Sequence, residues 1–339
     1  MTGGPAAPKT APWRPAPGPV VCIGETMAAL APDPPNPLAT AAQLRLSVAG
    51  AESNVAMYLA DHGVEVAWLS ALGDDPLGDR VRVAVAAPGV DVSHVRTDPD
   101  RPTGLLVKDP GPAGTRVHYY RRGSAASALG PDLLDGPPAR TASLLHLTGI
   151  TPALSESCRR LVTRALAAEP AARPYAVSFD VNHRAALWPD GTAPATLREL
   201  ADRADIVFVG LDEAQALWGA QLSAQDVRAW LPRPRILVVK DGANDATAFT
   251  DEGAVTVPTP RVAVVEAVGA GDAFAAGFLA GLVRRATTAD ALRLGHITAA
   301  SALQVPGDHG PLPDPRELEA LLALSPRAWA ERAAVAPSA

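Results

Sequence analysis

Two cysteines in 339 residues, Cys22 and Cys158, far apart and without CxxC spacing, leave neither a disulfide framework nor a cysteine zinc site. A reducing, cytoplasmic setting is therefore expected. Basic residues fall short of acidic ones, 30 against 36 for a net charge of -6, so there is no positive excess to follow a phosphate backbone, and nucleic acid is not an expected partner. No apolar run reaches the roughly 20 residues of a membrane span. Met1 to Pro19 also lacks the apolar segment of a signal peptide, so no membrane partner is expected. There is no GxxxxGK[ST] string and no GxGxxG after the first strand-like run, which excludes an ordinary P-loop and the dinucleotide fingerprint. Repeats of solenoid or propeller period and long charge blocks are missing as well.

What is present is a globular composition, 47% hydrophobic and 19% charged, in a chain long enough to bury a core without disulfide or metal staples. Residues 1–19 hold six prolines among alanine and glycine and read as a disordered tail. From Val20 onward, short apolar runs alternate with longer Ala/Leu/Arg stretches of helical period, the pattern of βα units building an α/β fold on a mostly parallel sheet. The runs Val20–Ile23, Val66–Leu69, Leu144–Leu147, Ala176–Phe179, Ile206–Val209 and Ile236–Val239 are nearly continuous in apolar residues, as strands covered on both faces are. Polar residues follow several of them, including Asp180 to Asn182, Glu213 and Lys240 to Gly242, and ligands bind at the carboxyl ends of such strands. Residues 28–48 and 92–122 break the alternation and read as antiparallel hairpins, a small lid over the sheet.

The sharpest local signal is the run Val262 to Ala267, read as a strand, leading through Gly269-Ala270-Gly271 into a helix opened by Asp272, with Phe274, Phe278 and Leu282 at helical spacing. Glycines and the free amides of a helix's first turn favour an anion. An acid in that turn can take the proton of a hydroxyl attacking a phosphoryl group. The plainer reading is that Asp272 caps a helix and the glycines turn the chain. A second cluster, Gly50-Ala51-Glu52-Ser53-Asn54-Val55-Ala56, offers a close backbone approach and an amide suited to a polyol hydroxyl, or a helix start capped by Ser53 or Asn54.

Gly50 to Ala56, Gly73 to Gly78, Lys240 to Gly242 and Val268 to Phe274 resemble, in order and spacing, the ribokinase-like PfkB carbohydrate kinase family over about residues 20–325. Tyr119 to Ala125, His146 to Leu154, Asp180 to Arg184 and Gly307 to His309 resemble its 2-keto-3-deoxygluconate kinases in particular. The resemblance implies a three-layer α/β/α sandwich with a β-sheet lid near 28–48 and 92–122, a C-terminal tail at 326–339, and ATP with Mg2+ on the rim. It implies transfer of phosphate to the 6-hydroxyl of the sugar acid, with Asp272 as base and Gly269, Ala270 and Gly271 as anion hole. Gly50, Asn54, Tyr119, Arg121, Ile150 and Arg184 match sugar-acid contacts, Lys240 and Gly242 match nucleotide contacts, and Glu213 matches a residue ordering Mg2+-bound water. A carboxylate substrate calls for arginine's fixed donor fork, which makes Arg121 and Arg184 the candidates on chemistry alone. Each also has a structural reading, Arg121 as a solvated pair with Arg122 and Arg184 as an ion pair with Asp180. A homo-oligomer through the lid is the expected assembly.

Five positions depart from the family pattern. Glu266 and Ala267 stand where members usually carry Asp and often Thr, near the monovalent-cation loop, which leaves potassium open. Gly210 replaces an Asn or Ser, Asp245 replaces a second glycine of the nucleotide loop, and Leu106 replaces a lid tyrosine. A kinase for another sugar, such as fructose, ribose or another sugar acid, and a catalytically silent sugar-acid sensor are the alternative readings.

Overall fold

Parallel pairing along the carboxyl rim organises the molecule, a computed structural model that describes residues 12–111, 114–167, 169 and 173–334. In chain order the strands are β1 (Val20–Ile23), β2 (Met27–Pro32), β3 (Leu44–Ala49), β4 (Val66–Leu69), β5 (Ala71–Gly73), β6 (Arg96–Asp98) and β7 (Leu105–Gly111). They continue as β8 (Gly114–Tyr120), β9 (Leu144–Thr148), β10 (Ala176–Asp180), β11 (Ile206–Gly210), β12 (Ile236–Asp241), β13 (Asp245–Thr250) and β14 (Gly253–Pro258). Eight of them form one sheet in the order β14-β13-β12-β11-β10-β9-β1-β4, parallel except for the β12-β13-β14 meander. All six strand expectations fall on this sheet.

Successive side chains of a strand face opposite ways, and both faces here are covered by helices, so the parallel strands carry apolar residues on both faces. Val20 and Cys22 of β1 join one core with Phe278 and Leu292, from helices Ala270–Val283 and Thr288–Leu303. Val21 and Ile23 join the opposite core with Leu161 and Leu197, from helices Glu156–Ala165 and Ala193–Asp202. The three-layer α/β/α sandwich follows directly. Both cysteines are free and buried in these cores.

The lid is a separate four-stranded sheet in the order β3-β2-β7-β8. β2 pairs antiparallel with β3, β7 pairs antiparallel with β8, and β2 runs parallel to β7. Met27, Ala49 and Leu106 form its small core, with Val117 packed against them.

Three expectations are corrected. Val262 to Ala267 is not a strand: it has no neighbouring strand to pair with, and the Val265 and Glu266 amides both donate to Leu303 O, at 2.7 and 3.3 Å. Val264 and Val265 are exposed there. Of the tail expected at 1–19, residues 1–11 lie outside the described residues, whereas residues 12–19 lie against the body. Ser143 Oγ donates to Gly18 O at 2.9 Å, and Trp13 packs on the core. The C-terminal tail expected at 326–339 is a helix over Pro326–Ala334, because Trp329 buries its ring and donates Nε1–H to Pro258 O at 2.9 Å; residues 335–339 lie outside the described residues.

Candidate active site

Two helices bring their N-termini to the rim side by side. Helix Ala51–Asp61 starts after Gly50, which is the cap, so Ser53 and Asn54 sit inside the first turn rather than capping it. A Cβ at Gly50 would stand 2.5 Å from Thr26 Oγ1 and 2.6 Å from Glu25 O, which explains the glycine by close packing. Helix Ala270–Val283 starts after Gly269, whose φ of +83° is left-handed and favours glycine. A Cβ there would also meet Asp308 O at 2.8 Å.

Asp272, in that first turn, is buried and held by two amides. Asn54 Nδ2 donates to Oδ2 at 2.9 Å, and Asn182 Nδ2 donates to Oδ1 at 3.2 Å. Burial pushes the Asp272 carboxyl up to about 7; the Asn54 amide opposes the rise, the Asp180 charge adds to it, and Arg184 opposes it. Asn54 Nδ2 also reaches Asp308 Oδ2 at 3.3 Å. Asn182 adopts the left-handed region at φ +39°, which sets its side chain toward Asp272.

One cleft between lid and sheet is lined by Gly50, Asn54, Tyr119, Arg121, Ile150 and Arg184 together with Asp272. Every sugar-contact position inferred from the sequence is therefore in one place. Leu106, directly opposite Tyr119 in the β7–β8 register, lies in the same wall. Of the two successive tyrosines, only Tyr119 faces the cleft.

The two arginines differ sharply. Arg121 is buried against Glu25, donating from Nε to Oε2 at 2.6 Å and pairing through Nη2 as well, while Ser124 Oγ donates to Glu25 Oε1 at 2.5 Å. Its charge is matched within the protein, not by Arg122-like solvation. Arg184 is exposed, donates only to His183 O at 3.3 Å, and has no carboxylate partner among the described residues. The ion pair with Asp180 belongs instead to Lys240, whose Nζ stands 2.9 Å from Asp180 Oδ2.

Lys240, next to last in β12, lies beside the glycine turn, where a Cβ at Gly271 would come within 3.4 Å of Nζ. Gly242 sits in the β12–β13 turn at φ +49° with open space beside it. Glu213 accepts from the Gly210 amide at 3.2 Å and from the His183 amide. Burial and the facing Asp180 raise its carboxyl to about 7. It clamps the loop after β10 to the helix Leu211–Trp218, and only its remaining lone pairs are open to water. Among the described residues no three His, Cys, Asp or Glu side chains converge on a metal position.

Several site residues were not singled out from the sequence. Glu52 is buried and accepts from Thr148 Oγ1 and Thr151 Oγ1, each at 2.7 Å, and Thr148 Oγ1 in turn accepts the Ile150 amide at 3.1 Å. Glu52 thus sets the wall that carries Ile150. Asn182, Asp308 and Glu52 lie within motifs the sequence already offered. Lys108 carried no local signal, because its partner Glu266 lies 158 residues away; Glu25 was legible as a polar residue following the first strand run, but its pairing with Arg121, 96 residues on, was not. Glu266, three residues before Gly269, has its carboxylate bound by Lys108 Nζ.

A parallel-sheet sandwich with a β lid and an acid in a glycine-led helix turn defines a sugar-kinase architecture. The model of the pfkB family carbohydrate kinases matches residues 19–315, and the chain belongs to that family. It is 36% identical over 309 residues to a 2-dehydro-3-deoxygluconokinase of Thermoproteus tenax, covering 89% of this chain and 94% of that one. Identity and coverage are the same to the 2-dehydro-3-deoxygluconokinase of Bacillus subtilis (strain 168). The solved aminoimidazole riboside kinase from Salmonella enterica, complexed with aminoimidazole riboside and an ATP analog, superposes with a TM-score of 0.76 at 28% identity, covering 90% of this chain and 100% of that one.

Proposed function

We propose that this protein transfers the γ-phosphoryl group of ATP to the 6-hydroxyl of 2-keto-3-deoxygluconate. The observation that carries the reading is the single cleft that gathers Gly50, Asn54, Tyr119, Ile150 and an unpaired Arg184 around Asp272. The two relatives named for this sugar acid support the substrate class.

In the reaction the sugar hydroxyl oxygen attacks the γ-phosphorus, the bond to the ADP oxygen breaks, and the hydroxyl proton passes to Asp272. A base with its carboxyl near 7 is matched to neutral pH. The free amides of Gly269, Ala270 and Gly271 face the charge that develops on the phosphoryl group. Lys240 and Gly242 lie where the nucleotide's phosphates would pass, and Arg184 orients the substrate carboxylate. Arg121, matched by Glu25, shapes the pocket and offers its remaining edge. Magnesium is ordinarily held through one or two carboxylates plus substrate phosphates; Glu213, acting through water, would help to hold it beside the nucleotide's phosphates, where it would neutralise their charge, whereas Asp180 is engaged by Lys240. Glu266 is engaged by Lys108, so we propose no monovalent cation there.

The matched Arg121–Glu25 pair favours a second reading, a kinase for a neutral sugar, since only one free guanidinium faces the cleft. ADP release measured with 2-keto-3-deoxygluconate, its galactose-derived epimer, gluconate, fructose and ribose separates the two. Turnover confined to keto-deoxy acids supports the first reading, and turnover on fructose or ribose supports the second. Free buried cysteines fit a cytoplasmic setting. The unpaired edges of β3 and β8, with Leu44 and Tyr120 exposed, are the surface through which we propose that two copies meet.

A further inference from the structure

Lys108 lies in the middle of lid strand β7, on the same face as Leu106, and is only 7% exposed. A buried ammonium is costly unless carboxylates surround it. Two do. Lys108 Nζ pairs with Glu266 and stands 3.7 Å from Asp308 Oδ1.

Neither acid belongs to the lid. Glu266 lies three residues before Gly269, in the irregular segment entering the glycine turn. Asp308 packs its backbone against Gly269 and shares the Asn54 amide with Asp272. Two connections thus run from one lid ammonium to the reacting centre, through Glu266 to the turn and through Asp308 and Asn54 to Asp272. Without Lys108, Glu266 and Asp308 would face each other as unmatched acids beside Asp272.

We infer that Lys108 is a positioning residue: the lid delivers its ammonium to Glu266 and Asp308, and so couples lid closure to assembly of the glycine turn and the Asn54–Asp272 pair. The inference rests on Asp272 as the base, and Asp272→Asn, assayed alongside, tests that assignment separately. Lys108 touches no reacting atom, so its effect falls on kcat with the KM for ATP little changed.

The experiment compares kcat, KM and thermal midpoint for Lys108→Met, Lys108→Ala and the double variant Lys108→Met/Glu266→Gln. Lys108→Met is expected to lose about 100-fold in kcat, the scale of a small misplacement at a reacting centre. The double variant should recover at least part of that loss, because the facing acid is gone, and ethylammonium added to Lys108→Ala should restore turnover that it does not give the wild type. If Lys108→Met does not fold, the double variant and the amine rescue carry the comparison. Wild-type kcat in Lys108→Met, or a loss moved by neither Glu266→Gln nor the amine, would overturn the inference while leaving the Asp272 result to stand or fall alone.

Discussion

Asn54 Nδ2 donates to Asp272 Oδ2 at 2.9 Å across 218 residues of sequence, tying the first turns of two helices into one unit. A donor to the ionised carboxylate favours that form, so the bond works against the burial that raises Asp272 to about 7. The base must be ionised to accept a proton. The kcat/KM profile is therefore expected to rise with pH through about 7, and Asn54→Ala should move that acid limb upward by about one pH unit. A limb that stays in place in the variant, measured by initial rates from pH 5.5 to 9, would contradict this coupling.

Arg184 and Arg121 are expected to fail in different ways. Arg184→Ala removes an exposed, unpaired donor and should raise KM for a sugar acid by about 10- to 100-fold, the range of a charge-assisted hydrogen bond, with the thermal midpoint unchanged. Arg121→Ala strands the buried Glu25 and should cost about 3–5 kcal/mol of stability, read as a lowered urea midpoint.

Most of this was legible in the chain. The six apolar runs each gave a strand because a parallel sheet buried on both faces leaves no polar alternation to blur the signal. Gly269 to Asp272 and Gly50 to Asn54 were legible because glycine and a functional side chain share one helix turn. The Val262 to Ala267 run misled because β-branched composition does not reveal whether a neighbouring strand exists. Lys108–Glu266 and Arg121–Glu25 were hidden for another reason: charge pairing between distant segments leaves no local pattern.

Three buried histidines work against the fold in acid, opposed by the raised carboxyls of Asp272 and Glu213. His62, His146 and His296 are held neutral, each lowered to about 4, with burial the main cause. The folded value lies below the unfolded 6.5, so protonation favours the unfolded chain. The stability they contribute is whole above 6.5 and is lost as pH falls toward 4, by about 1.4 kcal/mol per unit for each histidine. Asp272 and Glu213, raised to about 7, take up protons in the folded chain over the same range and oppose this loss, so the histidine effect is read as a difference: from pH 7 to 5 the urea midpoint of His146→Gln should rise relative to that of the wild type. A difference between variant and wild type that is independent of pH over that range would contradict the assignment.

The most direct test of the whole account is turnover by Asp272→Asn with Mg-ATP and 2-keto-3-deoxygluconate, alongside calorimetric binding of the sugar acid. Loss of the base is expected to lower kcat by about 100- to 10,000-fold while the sugar acid still binds. Full turnover in the variant would contradict Asp272 as the group that takes the hydroxyl proton.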